Sequence, residues 1–278
     1  MMKYLFVCVH PDDLEFSCGN LMAYLTKIGA EVHILSLTKG EFGIFDEKWK
    51  GRILGKIRMH ELKKAAAVNG IKSENVHFGD IPDGFTRFSE EHVLKMMEWL
   101  NILTPDIVFA PEPYFTYYWH IDHINCGRLF YYITVNQNNA KIPLKLKNPI
   151  KWLYLYTTAN PNFAWPFSDP TTTFKALYQH QSQWWLLKWN KLFYPIEKKN
   201  RSLKWKKKVG SWKFVERYRR VGPTGPFPKA NFITRRILAM INGLNIINPP
   251  ESHYKVLKEN DMEFYREIED LRRKHHFQ

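Results

Sequence analysis

Short apolar runs alternate with segments of helical spacing along the first 140 residues of the chain. The apolar runs cover residues 3–9, 31–38, 75–78 and 106–110. The helical patterns cover residues 17–28, 51–69, 89–103 and 121–135, with Gly29 and Gly70 as stops after the first two. This alternation is typical of βαβ units, which bury a parallel sheet between helices. We therefore predict an α/β fold with a mostly parallel sheet flanked by helices.

Polar loops follow the predicted strands where each strand ends. The first of them, Val9-His10-Pro11-Asp12-Asp13-Leu14-Glu15, comes directly after an apolar strand. The other three span residues 38–43, 79–84 and 111–123. In open α/β sheets, ligands bind outside the carboxyl ends of the strands, so these four loops should form one site.

The residue types in these loops predict a metal centre. A catalytic zinc takes about three protein ligands and leaves one position for water, and His10, Asp13 and the cluster His120-Ile121-Asp122-His123 offer nitrogen and oxygen atoms for it. Fe²⁺ could occupy the same kind of site. Water on such a metal becomes acidic, and a nearby carboxylate could complete its deprotonation during attack on a carbonyl.

Spacing within the two motifs suggests separate roles for neighbouring side chains. The turn at Pro11 lets Asp12 and Asp13 point in different directions, so that one binds metal while the other addresses the water. His120 and His123 are three residues apart and share a face at a helix start, so one could bind metal while the other touches substrate.

Composition limits the class of protein. With 278 residues and 45% hydrophobic content, the chain can form one large domain or a domain with an appendage. Its formal net charge of +14 favours anionic partners such as nucleic acid, anionic lipid or a phosphorylated substrate. No apolar run approaches the roughly 20 residues of a membrane span, and Cys8, Cys18 and Cys126 lack the spacing of a disulfide framework. We expect a soluble cytoplasmic protein without a secretion signal.

The second half of the chain carries weaker patterns. A strand is predicted over residues 151–157 and one helix over residues 169–188, with Asp169-Pro170 at its start. Residues 184–220 mix aromatic and basic side chains, residues 221–230 are rich in Pro and Gly, and residues 230–245 and 259–274 have helical patterns. The mixed segment could bind a membrane surface or nucleic acid, or its aromatic side chains could simply pack on the core.

The motif His10-Pro11-Asp12-Asp13-Leu14-Glu15-x-x-Cys18-Gly19 resembles the opening motif of the PIG-L/LmbE family of zinc-dependent N-deacetylases. Later segments resemble later family motifs: Thr38-Lys39-Gly40-Glu41, Arg58-x-x-Glu61, Pro82-Asp83-Gly84, His120-x-Asp122-His123, Lys175-Ala176-Leu177-x-x-His180-x-Ser182-Gln183 and Phe214-Val215-Glu216-Arg217-Tyr218-Arg219-Arg220. Asn20 and Leu21 depart from the Gly and Thr of many members. The resemblance covers about residues 1–220 and implies a Rossmann-like domain there. Residues 221–278 have no counterpart in this resemblance, and their own pattern predicts a basic, aromatic-rich and partly helical C-terminal extension.

The resemblance implies roles for seven residues. His10, Asp13 and His123 would be the zinc ligands. Asp12 would be the general base, and His120 would stabilise the tetrahedral oxyanion or protonate the leaving amine. Arg58 and Asp83 would contact the substrate. The implied reaction removes the N-acetyl group from an N-acetylglucosamine-containing sugar or glycoconjugate.

Other interpretations of these residues and of the function stay open. Arg58 and Glu61 could form an ion pair on a helix surface, Asp83 could only shape the Pro-Asp-Gly turn, and His180 could be a packing residue. The chain could instead be an amidase for a thiol-sugar conjugate or another N-acyl substrate, or a non-catalytic protein that binds anionic polymer or lipid. For a deacetylase we expect a small-molecule or lipid-linked amino sugar as partner, with peripheral membrane contact and without nucleic acid. The sequence does not indicate an oligomeric state.

Overall fold

The computed structural model describes residues 2–139, 145–184 and 213–223, together with residues 194–196, 198, 199 and 236. The strands within these ranges are β1 Lys3–Cys8, β2 Glu31–Ser36, β3 Val76–Phe78, β4 Ile107–Pro111, β5 Trp152–Tyr156, β6 Phe163–Phe167 and β7 Phe214–Val221. The helices are α1 Asp13–Ser17, α2 Gly19–Lys27, α3 Arg52–Val68, α4 Glu90–Leu103, α5 Ile121–Asn136 and α6 Thr171–Leu177.

The strands form one mixed sheet of seven strands in the order β3-β2-β1-β4-β5-β7-β6. The pairs among β1 to β5 are parallel, whereas β7 runs antiparallel to both β5 and β6. The predicted α/β fold with a mostly parallel sheet is therefore confirmed. Because β1 lies between β2 and β4, the strand order reverses between β1 and β4. In open α/β sheets ligands bind at such a point, outside the carboxyl ends of the strands. The loops that contain His10 and His120 follow β1 and β4.

Two apolar layers hold the helices against the sheet. Successive side chains of a strand point to opposite faces, so β1 contributes to both layers. Leu5 packs in a buried cluster that includes Leu100 of α4, whereas Phe6 packs in a second cluster that includes Leu62 of α3. This arrangement buries the parallel strands on both faces, as expected from their nearly continuous apolar sequences.

The helices predicted over residues 17–28, 51–69, 89–103 and 121–135 correspond to α2, α3, α4 and α5. Gly29 and Gly70 follow α2 and α3 and have positive φ angles of 80° and 78°, a conformation that costs glycine little. The short helix α1 was not predicted, and it is separated from α2 at Cys18.

The helix predicted over residues 169–188 begins where predicted, as α6 at Thr171, but its predicted end is wrong. Helix α6 ends at Leu177, and a 3-10 turn follows at Gln181–Gln183. The helical hydrogen bonds are lost directly after Tyr178, since the backbone N–H of Gln179 donates to Ala176, three residues back. The backbone N–H of Ser182 then donates to Glu61 of α3. Strand β6 was not predicted. The helices predicted over residues 230–245 and 259–274 lie outside the described residues, apart from Arg236, and the division at residue 220 stays a prediction.

Strand β7 is tied to the N-terminal part of the chain by Glu216. Its carboxylate accepts hydrogen bonds from the backbone N–H groups of Asn20 and Leu21 at 2.9 and 3.1 Å. These groups lie in the first turn of α2, whose N-cap residue provides no side-chain cap. Asn20 also donates through its side chain to Glu216 at 2.9 Å. Asn20, which departs from the family motif, thus supplies part of the contact between the N-terminus of α2 and the carboxylate of Glu216.

Two expectations from composition can be compared with the structure. Cys8, Cys18 and Cys126 are buried free thiols, in agreement with the absence of a predicted disulfide framework. None of the helices described here is long and apolar enough to cross a membrane.

Candidate active site

The turn after β1 fixes two adjacent carboxylates. Asp13 Oδ2 accepts hydrogen bonds from the backbone N–H groups of Val9 and His10 at 3.0 and 2.9 Å. Its Oδ1 lies 3.5 Å from His123 Nε2. Asp12 Oδ1, by contrast, accepts a hydrogen bond from Arg58 at 2.9 Å. The two carboxylates therefore point in different directions, as the proline turn predicts.

The loop after β4 brings two histidines to the same place. His120 is the N-cap residue of α5, and its Nδ1 accepts a hydrogen bond from the backbone N–H of Asp122 at 3.3 Å. His123 lies in the first turn of α5 and is buried. One ring nitrogen from each of His10, His120 and His123 lies within 4.8 Å of the other two.

The spacing of these atoms fits a metal ion. Ligand atoms around a tetrahedral zinc with ordinary bond lengths lie about 3.3 Å from one another. The distance from His10 Nδ1 to His123 Nε2 is 3.2 Å, close to this value, and Asp13 Oδ1 is at 3.5 Å from the same nitrogen. The structure therefore contains a His/Asp group that could hold a metal ion. His10, Asp83 and Asp122 form a second triplet of ligand atoms within 4.8 Å.

Asp83 lies behind His10. Its Oδ1 is 3.0 Å from His10 Nε2, and its Oδ2 accepts a hydrogen bond from the backbone N–H of Phe42 at 2.9 Å. Burial lowers the pKa of His10, but the carboxylates of Asp83, Asp13 and Asp122 together outweigh burial and raise this pKa to about 9. A carboxylate in this position orients a metal-binding imidazole with Nδ1 facing the metal. The predicted contact of Asp83 with sugar hydroxyls stays a prediction.

Three buried carboxyl groups around the site have raised pKa values. Burial is the main cause for each, and it raises the pKa of Asp13 to about 6 and those of Asp122 and Glu41 to about 7. Asp122 also accepts a hydrogen bond from the backbone N–H of Gly84 at 2.7 Å, which joins the Pro-Asp-Gly turn to α5. A bound cation would favour the ionised forms of such carboxyls, so their burial suits a metal centre.

Arg58 is buried against Asp12 and does not pair with Glu61. The side chain is 3% exposed, and besides Asp12 it donates to the carbonyl oxygen of Gly40 at 3.2 Å. Glu61, one turn later on α3, accepts hydrogen bonds from Ser182. The alternative of a surface ion pair between Arg58 and Glu61 is therefore wrong. Contact of Arg58 with substrate stays a prediction.

Two glycines leave room for the guanidinium of Arg58. A Cβ atom built on Gly40 or Gly43 would lie 2.4 or 2.2 Å from Arg58 Nη1. Gly40 also has a positive φ of 65°, whereas Gly43 is not among the residues with positive φ. A substitution at Gly43 therefore tests the role of the Arg58 position without introducing backbone strain.

We expect Gly43→Ala to displace Arg58 from Asp12 while the protein stays folded. The added methyl group meets only the far end of a flexible side chain, so the fold can accommodate it by moving the guanidinium. Turnover should fall about tenfold, because supporting residues of metal sites contribute 10- to 100-fold. Steady-state kinetics and thermal unfolding check this expectation. Wild-type turnover in a folded variant would contradict it.

Sequence analysis missed two features of the site. The ring of Tyr118 stands nearly perpendicular to that of His123, with ring centres 4.7 Å apart. Its position two residues before His120 was the available signal. Glu15 and His180 form a fully buried pair, with Oε2 3.2 Å from Nε2. Glu15 was visible only as part of the first motif, and nothing in the sequence joined it to a histidine 165 positions away.

The fold and the site define an α/β protein with a candidate metal centre at the carboxyl ends of its parallel strands. Residues 5–134 match the family described as "PIG-L: GlcNAc-PI de-N-acetylase". Residues 5–134 are therefore similar to a PIG-L family domain.

Relatives with assigned names agree with this family. The chain is 29% identical over 189 residues to the diacetylchitobiose deacetylase of Thermococcus kodakarensis, which covers 65% of this chain and 70% of that one. It is 28% identical over 161 residues to the 1D-myo-inositol 2-acetamido-2-deoxy-alpha-D-glucopyranoside deacetylase of Corynebacterium diphtheriae, which covers 50% of this chain and 55% of the relative. Among solved structures, the N,N'-diacetylchitobiose deacetylase of Pyrococcus horikoshii aligns with a TM-score of 0.69 and 26% identity over 80% of this chain and 84% of that one.

Proposed function

We propose that this chain is a zinc-dependent deacetylase that hydrolyses the N-acetyl group of an N-acetylglucosamine-containing sugar or glycoconjugate. The observation that carries the proposal is the position of His123 Nε2, which lies 3.2 Å from His10 Nδ1 and 3.5 Å from Asp13 Oδ1, with Asp12 adjacent in the same turn. The names of the relatives support an acetamido sugar as the substrate.

In the proposed mechanism His10, Asp13 and His123 would hold the metal. The loaded site would supply a water of lowered pKa and a Lewis acid for the acetamide carbonyl. Asp12 accepts the proton of the attacking water as general base. Its hydrogen bond to Arg58 fixes the direction of the carboxylate, since Oδ1 is engaged by the guanidinium and the other oxygen can face the water. Asp83 keeps the ring of His10 in place through Nε2.

His120 supplies a hydrogen-bond donor in this mechanism. Its Nδ1 accepts from the backbone N–H of Asp122, so the neutral ring carries its proton on Nε2. Such an N–H can stabilise the oxyanion that develops on the acetamide carbonyl. The proton that Asp12 has taken from the water can then pass to the leaving amine as the C–N bond breaks. Under this assignment His120 is not needed as a metal ligand.

The proposed partner is a small amino-sugar molecule. A lipid-linked sugar and peripheral contact with a membrane belong to the same proposal, as does a cytoplasmic location. Buried free cysteines are compatible with a reducing compartment.

Acetate release by the purified protein tests the proposed function. The substrates are N-acetylglucosamine, its phosphorylated form, diacetylchitobiose, and inositol-linked and lipid-linked N-acetylglucosamine, each with zinc, with Fe²⁺ and with a chelator. We expect acetate release that requires metal, and its rate on each compound should rank the substrates. No release with metal bound would point to another N-acyl substrate, and no release without any metal binding would favour the anionic-polymer or lipid-binding alternative.

A further inference from the structure

A short stretch after α6, residues 180–183, contacts three elements that surround the Asp12–Arg58 pair. We call it the 180–183 segment. It reaches α1, α3 and the loop after β2 through three different side chains. Gln181, in the middle of the segment, is exposed, and its side chain donates to the nearby carbonyl oxygen of Tyr178 rather than to another element.

The first contact fixes α1. His180 Nε2 lies 3.2 Å from Glu15 Oε2, and both side chains are completely buried. Glu15 lies in the first turn of α1, which begins at Asp13 directly after Asp12. Two buried polar groups of this kind are costly to separate, because each would lose its nearest polar neighbour in a site without solvent.

The second contact fixes α3. The backbone N–H and the hydroxyl of Ser182 donate to the two carboxylate oxygens of Glu61 at 2.7 and 2.6 Å. Glu61 is three residues after Arg58 on the same helix and is also buried. Hydrogen bonds to a charged group are stronger than neutral ones, so this pair holds the turn of α3 that presents Arg58.

The third contact fixes the glycine loop. Gln183 donates through Nε2 to the carbonyl oxygen of Gly43 at 2.8 Å, and its side chain is 3% exposed. Gly43 is the residue whose Cα lies against the guanidinium of Arg58. The bond therefore holds one wall of the space that Arg58 occupies.

We propose that Ser182 and Gln183 are positioning residues that set the Asp12–Arg58 pair for proton abstraction. The proposal rests on the proposed deacetylase function. Each contact ends on an element that carries or encloses a member of the pair, and each crosses more than 100 residues of sequence. Neither residue needs to touch the substrate, because both act through Glu61, Gly43 and Arg58.

Kinetics of Ser182→Ala and Gln183→Leu test this role. Each variant removes a donor while nearly keeping side-chain volume, and kcat should fall about tenfold with zinc content unchanged. Ser182→Thr keeps the hydroxyl and should retain most of the turnover. Gln181→Ala is the matched control from the same segment and should behave as wild type. All rates are measured at a temperature at which each variant is fully folded.

Hydrogen exchange of the unliganded protein gives a readout that is independent of activity. In Gln183→Leu, amides of residues 40–52 should exchange faster, while those of α4 should not change. An inactive wild-type protein would defeat the proposed function but leave this result interpretable. Unchanged exchange together with wild-type kcat in Ser182→Ala and Gln183→Leu would overturn the positioning role, as would equal losses in Gln181→Ala.

Discussion

The His10→Ala variant is expected to lose bound zinc and deacetylase activity together. His10 contributes one of the ligand atoms at metal-binding spacing, and its ring is held between His123 and Asp83. Loss of a supporting residue alone reduces metal affinity by 10- to 100-fold, so loss of a ligand should reduce zinc affinity by more than about 100-fold. Metal analysis after desalting and acetate release measure the two losses.

A matched control separates the loss of a metal ligand from the general effect of replacing a histidine by alanine. His60 lies on the exposed side of α3, and His60→Ala should keep both zinc and turnover.

The same metal analysis distinguishes the remaining ligands. Asp13→Ala should lose zinc, whereas His120→Ala should retain it and hydrolyse more slowly. Stoichiometric zinc in His10→Ala would refute the proposed metal centre, and loss of zinc in His120→Ala would make His120 a ligand.

The sequence was sufficient to predict the parallel sheet and the place of the site. Both follow from local patterns, because apolar runs of strand length alternate with helical spacing and polar residues stand at the strand ends. Once the strands are parallel, the loops after β1 and β4 must meet at one edge, so His10 and His123 could be joined from sequence although 113 positions separate them.

The contacts around Arg58 could not be predicted in this way. Spacing on α3 places Arg58 beside Glu61, but the structure directs Arg58 to Asp12 and Glu61 to Ser182. A helical pattern shows which residues share a face and does not show which distant partner covers it. The wrong end of the helix predicted over residues 169–188 is a related case, since the segment after α6 binds Glu61, 121 positions before Ser182, and the local pattern does not show this partner.

Asp83 shows how one residue fits two interpretations until its partners are known. The Pro-Asp-Gly sequence is typical of a turn, and the family resemblance implies contact with sugar. In the structure both carboxylate oxygens of Asp83 contact protein groups: Oδ1 contacts the imidazole of His10, and Oδ2 accepts a hydrogen bond from the backbone N–H of Phe42. The arrangement couples the turn to the metal centre, since any movement of residues 82–84 would shift the imidazole that is predicted to bind metal.

The Asp12→Asn variant is expected to keep its zinc but to lose most of its turnover. Asparagine has nearly the same shape and can still accept the hydrogen bond of Arg58 through its amide oxygen, so the local structure should persist. It cannot take a proton from water at neutral pH, and removal of a general base typically costs 10²- to 10⁴-fold. We expect kcat to fall about 1,000-fold with little change in KM.

Asp169→Asn provides the control for this exchange of carboxylate for amide. Asp169 is exposed and accepts a hydrogen bond from the backbone N–H of Thr171, which asparagine can also accept. Its kinetics should equal those of wild type. If Asp12→Asn retained full turnover with zinc bound, Asp12 would not be the base, and its bond to Arg58 would have only a structural role. If instead it lost zinc, Asp12 would belong to the metal ligands, and the division of labour between the two adjacent carboxylates would be reversed.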